Sequence, residues 1–406
     1  MDEANLIYDW NRRADAAVTR PTTVELDDET LRDGLQSPSV RHPAVEKKIE
    51  ILHLMEQLGI DCADIGLPGA GPHVAADVLR LAQEIADQRM RILPDCAART
   101  VIADIEPIID IAQKVGRPIE VSTFIGSSPI RQYAEDWSLD MMLRATEEAV
   151  TFAVRHELPV MYVTEDTTRA HPETIRQLYT TAIRCGARRI CVCDTVGHAT
   201  PEGVRALITY VRQIVQETDP SVKIDWHGHQ DRGLGVINSI AALEAGAHRL
   251  HGCALGIGER SGNTPMDQLL INLQLKGYIN RDLRPLTAYC QTVSEACGVP
   301  IPFNYPAMGR DAFRTGTGVH AAAVIKAFKK GDVRLANAVY SGVPADLVGR
   351  EQEIEIGPVS GKSNVIYWLE KRGWEVTDER VEKILSEAKR RDRILTEEEI
   401  MACLTA

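Results

Sequence analysis

The chain alternates short apolar runs with longer amphipathic stretches through most of its length. The runs at 23–28 (TVELDD), 61–66 (DCADIG), 91–96 (RILPDC) and 118–124 (PIEVSTF) have the length and composition of buried strands. So do those at 159–164 (PVMYVT), 188–193 (RRICVC), 222–229 (VKIDWHGH) and 248–253 (HRLHGC). Segments of helical period lie between them. In AVEKKIEILHLMEQLG the apolar stripe is Val45, Ile49, Leu52 and Met55, and Gly59 follows as a stop signal. Gly186 and Gly246 punctuate later stripes in the same way. About eight β-then-α units in series imply parallel strands joined by crossover helices. A doubly wound open sheet shares this alternation. Polar clusters at the C-terminal ends of several different strands favour the closed (β/α)8 TIM barrel, an α/β fold that keeps its sites there.

The barrel is expected over residues 22–280 and a smaller, mainly helical C-terminal region over 281–406. That region shows no obvious core of its own. Within it, TDERVEKILSEAKRRD reads as an amphipathic helix capped by Thr377, and the chain beyond Tyr367 as one or two helices.

Composition narrows the function classes. Hydrophobic content of 44% and charged content of 26% are ordinary globular values, so a packed core is expected. A net charge of -12 disfavours a nucleic-acid surface, which needs a basic face, yet leaves room for a local basic pocket for an anionic substrate. No run approaches the roughly 20 apolar residues of a membrane span. The stretch MDEANLIYDWNRRADAAVTR lacks the apolar segment of a signal peptide. Nine cysteines without a CxxC pair suit reduced thiols and a cytoplasmic location. Cys191 and Cys193 alternate in RRICVCDT and read as small apolar strand residues rather than paired ligands.

The chemistry gathers at strand ends. His227 and His229 stand two apart, so on a strand they point the same way and could share one cation. Alone, the pair is a weak signal and fits a solvated or hydrogen-bonded role better than a metal site. DDETLRDGLQSP places the carboxylate of Asp33 beside the fixed cation of Arg32, a hard ligand next to an oxyanion partner. The same RDG is also an ordinary turn, with Gly34 supplying an unusual dihedral. VTEDTTR brings Glu165 and Asp166, and CDTVGHATPEG brings Asp194 and Thr195, with Thr200 as cap and Pro201 opening a helix. HGCALGIGERSGN brings Glu259, Arg260 and Asn263. In one barrel these five strand ends face one mouth.

TLRDGLQ, HGHQDRGLGVINS, AGAHRLHG and GIGERSGN together resemble the DRE-TIM metallolyase superfamily. Within it the chain is similar to the Claisen-condensing acyl-CoA synthases, namely the isopropylmalate, homocitrate and citramalate synthases. The likeness runs from residue 24 to about 368 and includes TFIGSSPI, EDTTR, DTVGHATP, NYPAMGRDAFRTGTGVHAAAV and SGKSNVIY. It departs from the family pattern at Glu29 and Leu35, at Gln230-Asp231 after the histidines, and at Asp311 and Gly316-Thr317 near His320.

The resemblance implies a divalent metal ion (Mg, Mn or Zn) held by Asp33, His227 and His229, with Asn263 near or in its shell. It implies a 2-oxo acid whose carboxylate meets Thr195, acetyl-CoA as co-substrate, and Arg32 stabilising the alkoxide. Glu165 and His320 match the family's candidate bases, and Glu259 matches a residue associated with thioester hydrolysis. The implied product is a 2-hydroxy-dicarboxylic acid with release of CoA. The activity most resembles 2-isopropylmalate synthase of leucine biosynthesis; citramalate or homocitrate synthase activity is the alternative. A metal-dependent acyl-CoA lyase or aldolase and a non-catalytic metal-stabilised scaffold are the rival classes. The partners implied are small molecules and a second copy in a homodimer, with neither nucleic acid nor membrane. Insensitivity to leucine is also expected.

Overall fold

The computed structural model describes residues 6–11, 21 and 23–405. Eight parallel strands close into a barrel in sequence order. They are β1 (Glu25–Asp28), β2 (Cys62–Asp64), β3 (Leu93–Arg99), β4 (Glu120–Gly126), β5 (Val160–Glu165), β6 (Arg189–Asp194), β7 (Lys223–Gly228) and β8 (Arg249–Gly252). Each predicted strand is present. β8 pairs with β1 in the register Glu25 with Arg249 and Asp27 with His251, which closes the ring. The fold is a TIM barrel.

Alternation along the strands separates two environments. Leu26, Ala63, Cys96, Val121, Tyr162, Ile190, Val192, Ile224, Trp226 and Leu250 are buried on the outer face, where crossover helices cover the sheet. The inner face is unusual. Asp27, Asp64, Asp95, Asp225, Arg249 and His251 are buried there, where a barrel of this kind ordinarily stacks branched apolar side chains. Ion pairing makes this tolerable. Arg249 binds Asp225 and Glu120, Arg189 binds Asp225 and Glu25, and His251 binds Asp225. Buried charges survive only when paired in this way.

The helices follow their sequence signals closely. Helix Val45–Gln57 ends before Gly59, which has φ +71°. Its buried residues are Lys48, Ile51, Leu52 and Met55, so the predicted stripe is rotated: Val45 and Ile49 are only half-buried. Helix Pro201–Thr218 starts as expected, with the Thr200 side chain accepting from the Gly203 N–H.

The chain divides into two compact units. One runs to Arg281 and includes Thr292–Val299; the other comprises Asp282–Gln291 and the chain from Pro300 onward. The second unit corrects the expectation of a region without a core. Ile356, Val365, Trp368, Leu369, Val381, Ile384, Ala388, Leu395 and Ile400 form one buried cluster. Ala321, Val324, Ile325, Ala327, Ala336 and Ile354 form another. Helix Lys362–Lys371 runs through Tyr367, and beyond it lie two further helices, Asp378–Arg390 and Glu397–Thr405, as expected. Thr377 caps the middle one, its hydroxyl accepting from the Arg380 N–H. Among the described residues no helix is long and apolar enough to cross a membrane.

Candidate active site

The site is built where β1, β7 and β8 end. After β1 the chain turns through a short 3-10 segment, Asp33–Gln36. Gly34 is needed here for close approach and not for an unusual dihedral: a Cβ would stand 2.9 Å from Cγ1 of Ile257. Arg32 and Asp33 are thereby held over the barrel. Nε of Arg32 donates to Asp64 at 2.6 Å, Nη1 to Asp33 at 3.0 Å, and Nη2 pairs with Glu29. Three carboxylates fix one guanidinium.

The two histidines converge. His227 lies within β7, and His229 forms an isolated antiparallel bridge with Asn263. Their Nε2 atoms are 3.3 Å apart, and Oδ2 of Asp33 lies 3.6 Å from the first and 4.0 Å from the second. Nδ1 of His227 is 2.8 Å from Glu29, an acceptor when ionised, so the proton sits on Nδ1 and the Nε2 lone pair of the neutral ring points at Asp33 and His229. Burial opposes charge on His227, but Glu29 outweighs it and lifts the ring to about 9 without an ion. Burial and the neighbouring His227 lower His229 to about 4.

These residues fit a cation. One donor atom from each of Asp33, His227 and His229 lies within 4.8 Å of the other two. Two imidazoles and a carboxylate suit Zn, Mn or a similar ion. Nδ1 of His229 and Oδ1 of Asn263 are buried without hydrogen-bond partners. The NH2 group of Asn263 donates to Asp33 at 3.0 Å and to the Ile257 carbonyl at 3.1 Å, so Asn263 braces Asp33 from the side.

A cavity of about 160 Å³ descends from this cluster into the barrel; Arg32, Asp33, Glu165, Thr195, His227 and Glu259 are among the residues lining it. Burial raises the pKa of Glu165 above its usual range, against the pull of Arg131, whose Nη2 is 3.9 Å away. The hydroxyl of Thr195 accepts from the Asp166 N–H at 2.8 Å, leaving its own hydrogen free to donate. Glu259 stands exposed, beside Arg260. Cys191 and Cys193 face the cavity with sulfurs 3.8 Å apart. His320 belongs to the second unit, where it is exposed in the first turn of helix Gly318–Lys329 and packs on Tyr340.

Residues 23–293 match the family described as HMGL-like, more than half of the chain. The chain belongs to this DRE-TIM family. Relatives include homocitrate synthase AksA of Methanopyrus kandleri, 32% identical over 93% of this chain and 90% of that protein. A probable 2-isopropylmalate synthase of the same organism is 32% identical over 91% and 70%. The 2-isopropylmalate synthase of Sulfurisphaera tokodaii is 31% identical over 90% and 90%. Relatives named for different substrates are equally similar, so identity does not choose among them. Among solved structures, HMG-CoA lyase of Bacillus subtilis superposes with a TM-score of 0.58 at 20% identity, over 70% of this chain and 96% of that one. At that identity the family likeness shows a common barrel.

Sequence reasoning missed Glu29 and His251. Oε1 of Glu29 meets Nδ1 of both His227, at 2.8 Å, and His251, at 2.7 Å. The available signal was the departure from the family pattern at Glu29 itself.

Proposed function

We infer that the protein catalyses a Claisen condensation of acetyl-CoA with a 2-oxo acid, giving a 2-hydroxy-dicarboxylic acid and free CoA. The observation that carries this reading is the convergence of Asp33, His227 and His229 beside a triply held Arg32, at the head of an inner cavity. The reading uses Asp33, His227 and His229 as ligands of a divalent ion, which when bound supplies Lewis-acid polarisation of a ketone.

Arg32 is a fixed cation, and its N–H groups not engaged by the carboxylates are donors for the ketone oxygen as negative charge develops on it. Thr195 donates its free hydroxyl hydrogen to the substrate carboxylate. Glu165, raised toward the working pH by burial, takes a proton from the acetyl methyl group. The resulting carbanion carbon bonds to the keto carbon, and the former ketone oxygen is protonated. Water then attacks the thioester, the C–S bond breaks, and CoA leaves as a thiol; Glu259 at the rim is the residue assigned to this step. His320 is the other candidate base, and His320→Ala tests it separately. The reading carries a homodimer with it, which light scattering on active enzyme would support and an active monomer would remove.

The test is incubation of metal-supplied protein with acetyl-CoA and a panel of 2-oxo acids, with free thiol as the readout. CoA release dependent on a 2-oxo acid supports the synthase. Cleavage of a hydroxyacyl-CoA without such release would support the lyase class instead.

A further inference from the structure

We propose that the 2-oxo acid carries a hydroxyl group at the end of a short side chain, seated on Ser122 and Asp95. This rests on the reading above, in which the reacting end of a 2-oxo acid binds beside Arg32, Asp33 and the histidines. The rest of the molecule must then extend along the wall formed by β2 to β5. That wall has an apolar collar of Leu67, Ala97, Phe124 and Val163 and, deeper, the polar pair Asp95 and Ser122. A volume of about 160 Å³ is well below the roughly 300 Å³ of a drug-sized site, so the side chain is short.

The polar pair is built into the barrel. Asp95 is 1% exposed and Ser122 is 4% exposed, and Oγ of Ser122 lies 2.6 Å from Oδ2 of Asp95. The thiol of Cys62 donates to Oδ1 of Asp95 at 3.4 Å. Burial, reinforced by Asp27 and Asp64, pushes the Asp95 carboxyl well above the usual range. Ser122 donates its hydroxyl hydrogen to Asp95, so the lone pairs of its Oγ are what it offers to a hydroxyl donor in the cavity.

Two other tail chemistries fit less well. A branched alkyl tail would offer nothing to the lone pairs of Oγ of Ser122 that its bond to Asp95 leaves open, whereas a hydroxyl can donate to them. A distal carboxylate would face Glu29, Asp64, Asp95 and Glu165. Arg32 is the only Arg or Lys among the lining residues, and it is already bound to Glu29, Asp33 and Asp64.

The decisive comparison is 4-hydroxy-2-oxobutanoate against 2-oxopentanoate, which places a hydroxyl or a methyl at the same point. The hydroxylated acid should show a kcat/KM higher by roughly tenfold or more, and tighter binding by calorimetry. Ser122→Ala should bring the ratio toward parity, and Asp95→Asn should change it as well. CoA release that favours 2-oxopentanoate would overturn this assignment and leave the condensation standing. A ratio untouched by Ser122→Ala would also overturn it. CoA release with no 2-oxo acid at all would remove the condensation and this inference together.

Discussion

The carboxylate of Glu29 lies 2.8 Å from Nδ1 of His227, and that contact decides which nitrogen of the ring faces Asp33. With Nδ1 protonated and held, Nε2 is the nitrogen aimed at Asp33, and it gives up its proton when an ion binds. Outer contacts of this type commonly tune metal affinity by 10–100-fold. Glu29→Gln keeps an acceptor oxygen but removes the charge. It should therefore weaken metal binding by roughly 10–100-fold in a calorimetric titration, with the fold intact by circular dichroism. Wild-type affinity would reduce Glu29 to a packing residue.

Arg32 is fastened by Glu29, Asp33 and Asp64, so its guanidinium has little freedom to follow a misplaced substrate. Arg32→Lys retains a positive charge and loses the fork. Metal content should persist while turnover falls by about 10²–10³, the usual cost of losing a preorganised donor to a developing oxyanion. An unchanged rate would show that Arg32 serves the turn alone.

Arg249 lies at the centre of the buried ion network, touching Asp225 and Glu120 and standing 3.6 Å from Asp27. Arg249→Ala strands these carboxylates inside the barrel. Stability should drop by about 3–5 kcal/mol in urea unfolding, the range seen when one partner of a buried pair is removed. A loss within the error of the measurement would mean that water or protons compensate the network.

Asp225 supplies a pH signature. Burial opposes its ionisation, but Arg249 and Arg189 outweigh burial and hold the carboxyl well below the usual range. A folded-state pKa below the unfolded one gives stability that is complete above the unfolded value and is lost as pH falls. The stability advantage of the wild type over Asp225→Asn should therefore shrink as pH falls below about 4, by unfolding at a series of pH values. An advantage that does not change with pH would contradict the pairing.

Some of this architecture was legible along the chain. Every barrel strand was, because period and turn residues are local, and Thr200 and Thr377 announced their helices for the same reason; the two-residue strands Arg314–Thr315 and Glu353–Ile354 were too short to show. Asp33, His227 and His229 were legible as a set through motif resemblance. The partnership of Glu29 with His251 was not, since 222 residues separate them and only the closing register of β1 with β8 brings them together. The charged interior had the same obstacle. Asp27, Asp95 and Asp225 each look like strand-end polar residues until the inward phase of every strand is known. The second unit's core escaped notice because Trp368, Ile384 and Ile400 sit on three separate short helices. No one of these helices carries enough apolar residues to announce a core.

Metal held by the three-residue cluster is required for bond formation at the head of the cavity in the proposed reaction. The most direct measurement is CoA release from acetyl-CoA in the presence of 2-oxo acids by chelator-stripped protein, before and after Mg, Mn or Zn is restored, in wild type and His229→Ala. The expected result is 2-oxo-acid-dependent CoA release in the wild type only after metal is restored, and loss of both metal content and release in His229→Ala. Full activity in stripped protein, or in a His229→Ala variant without bound metal, would contradict it.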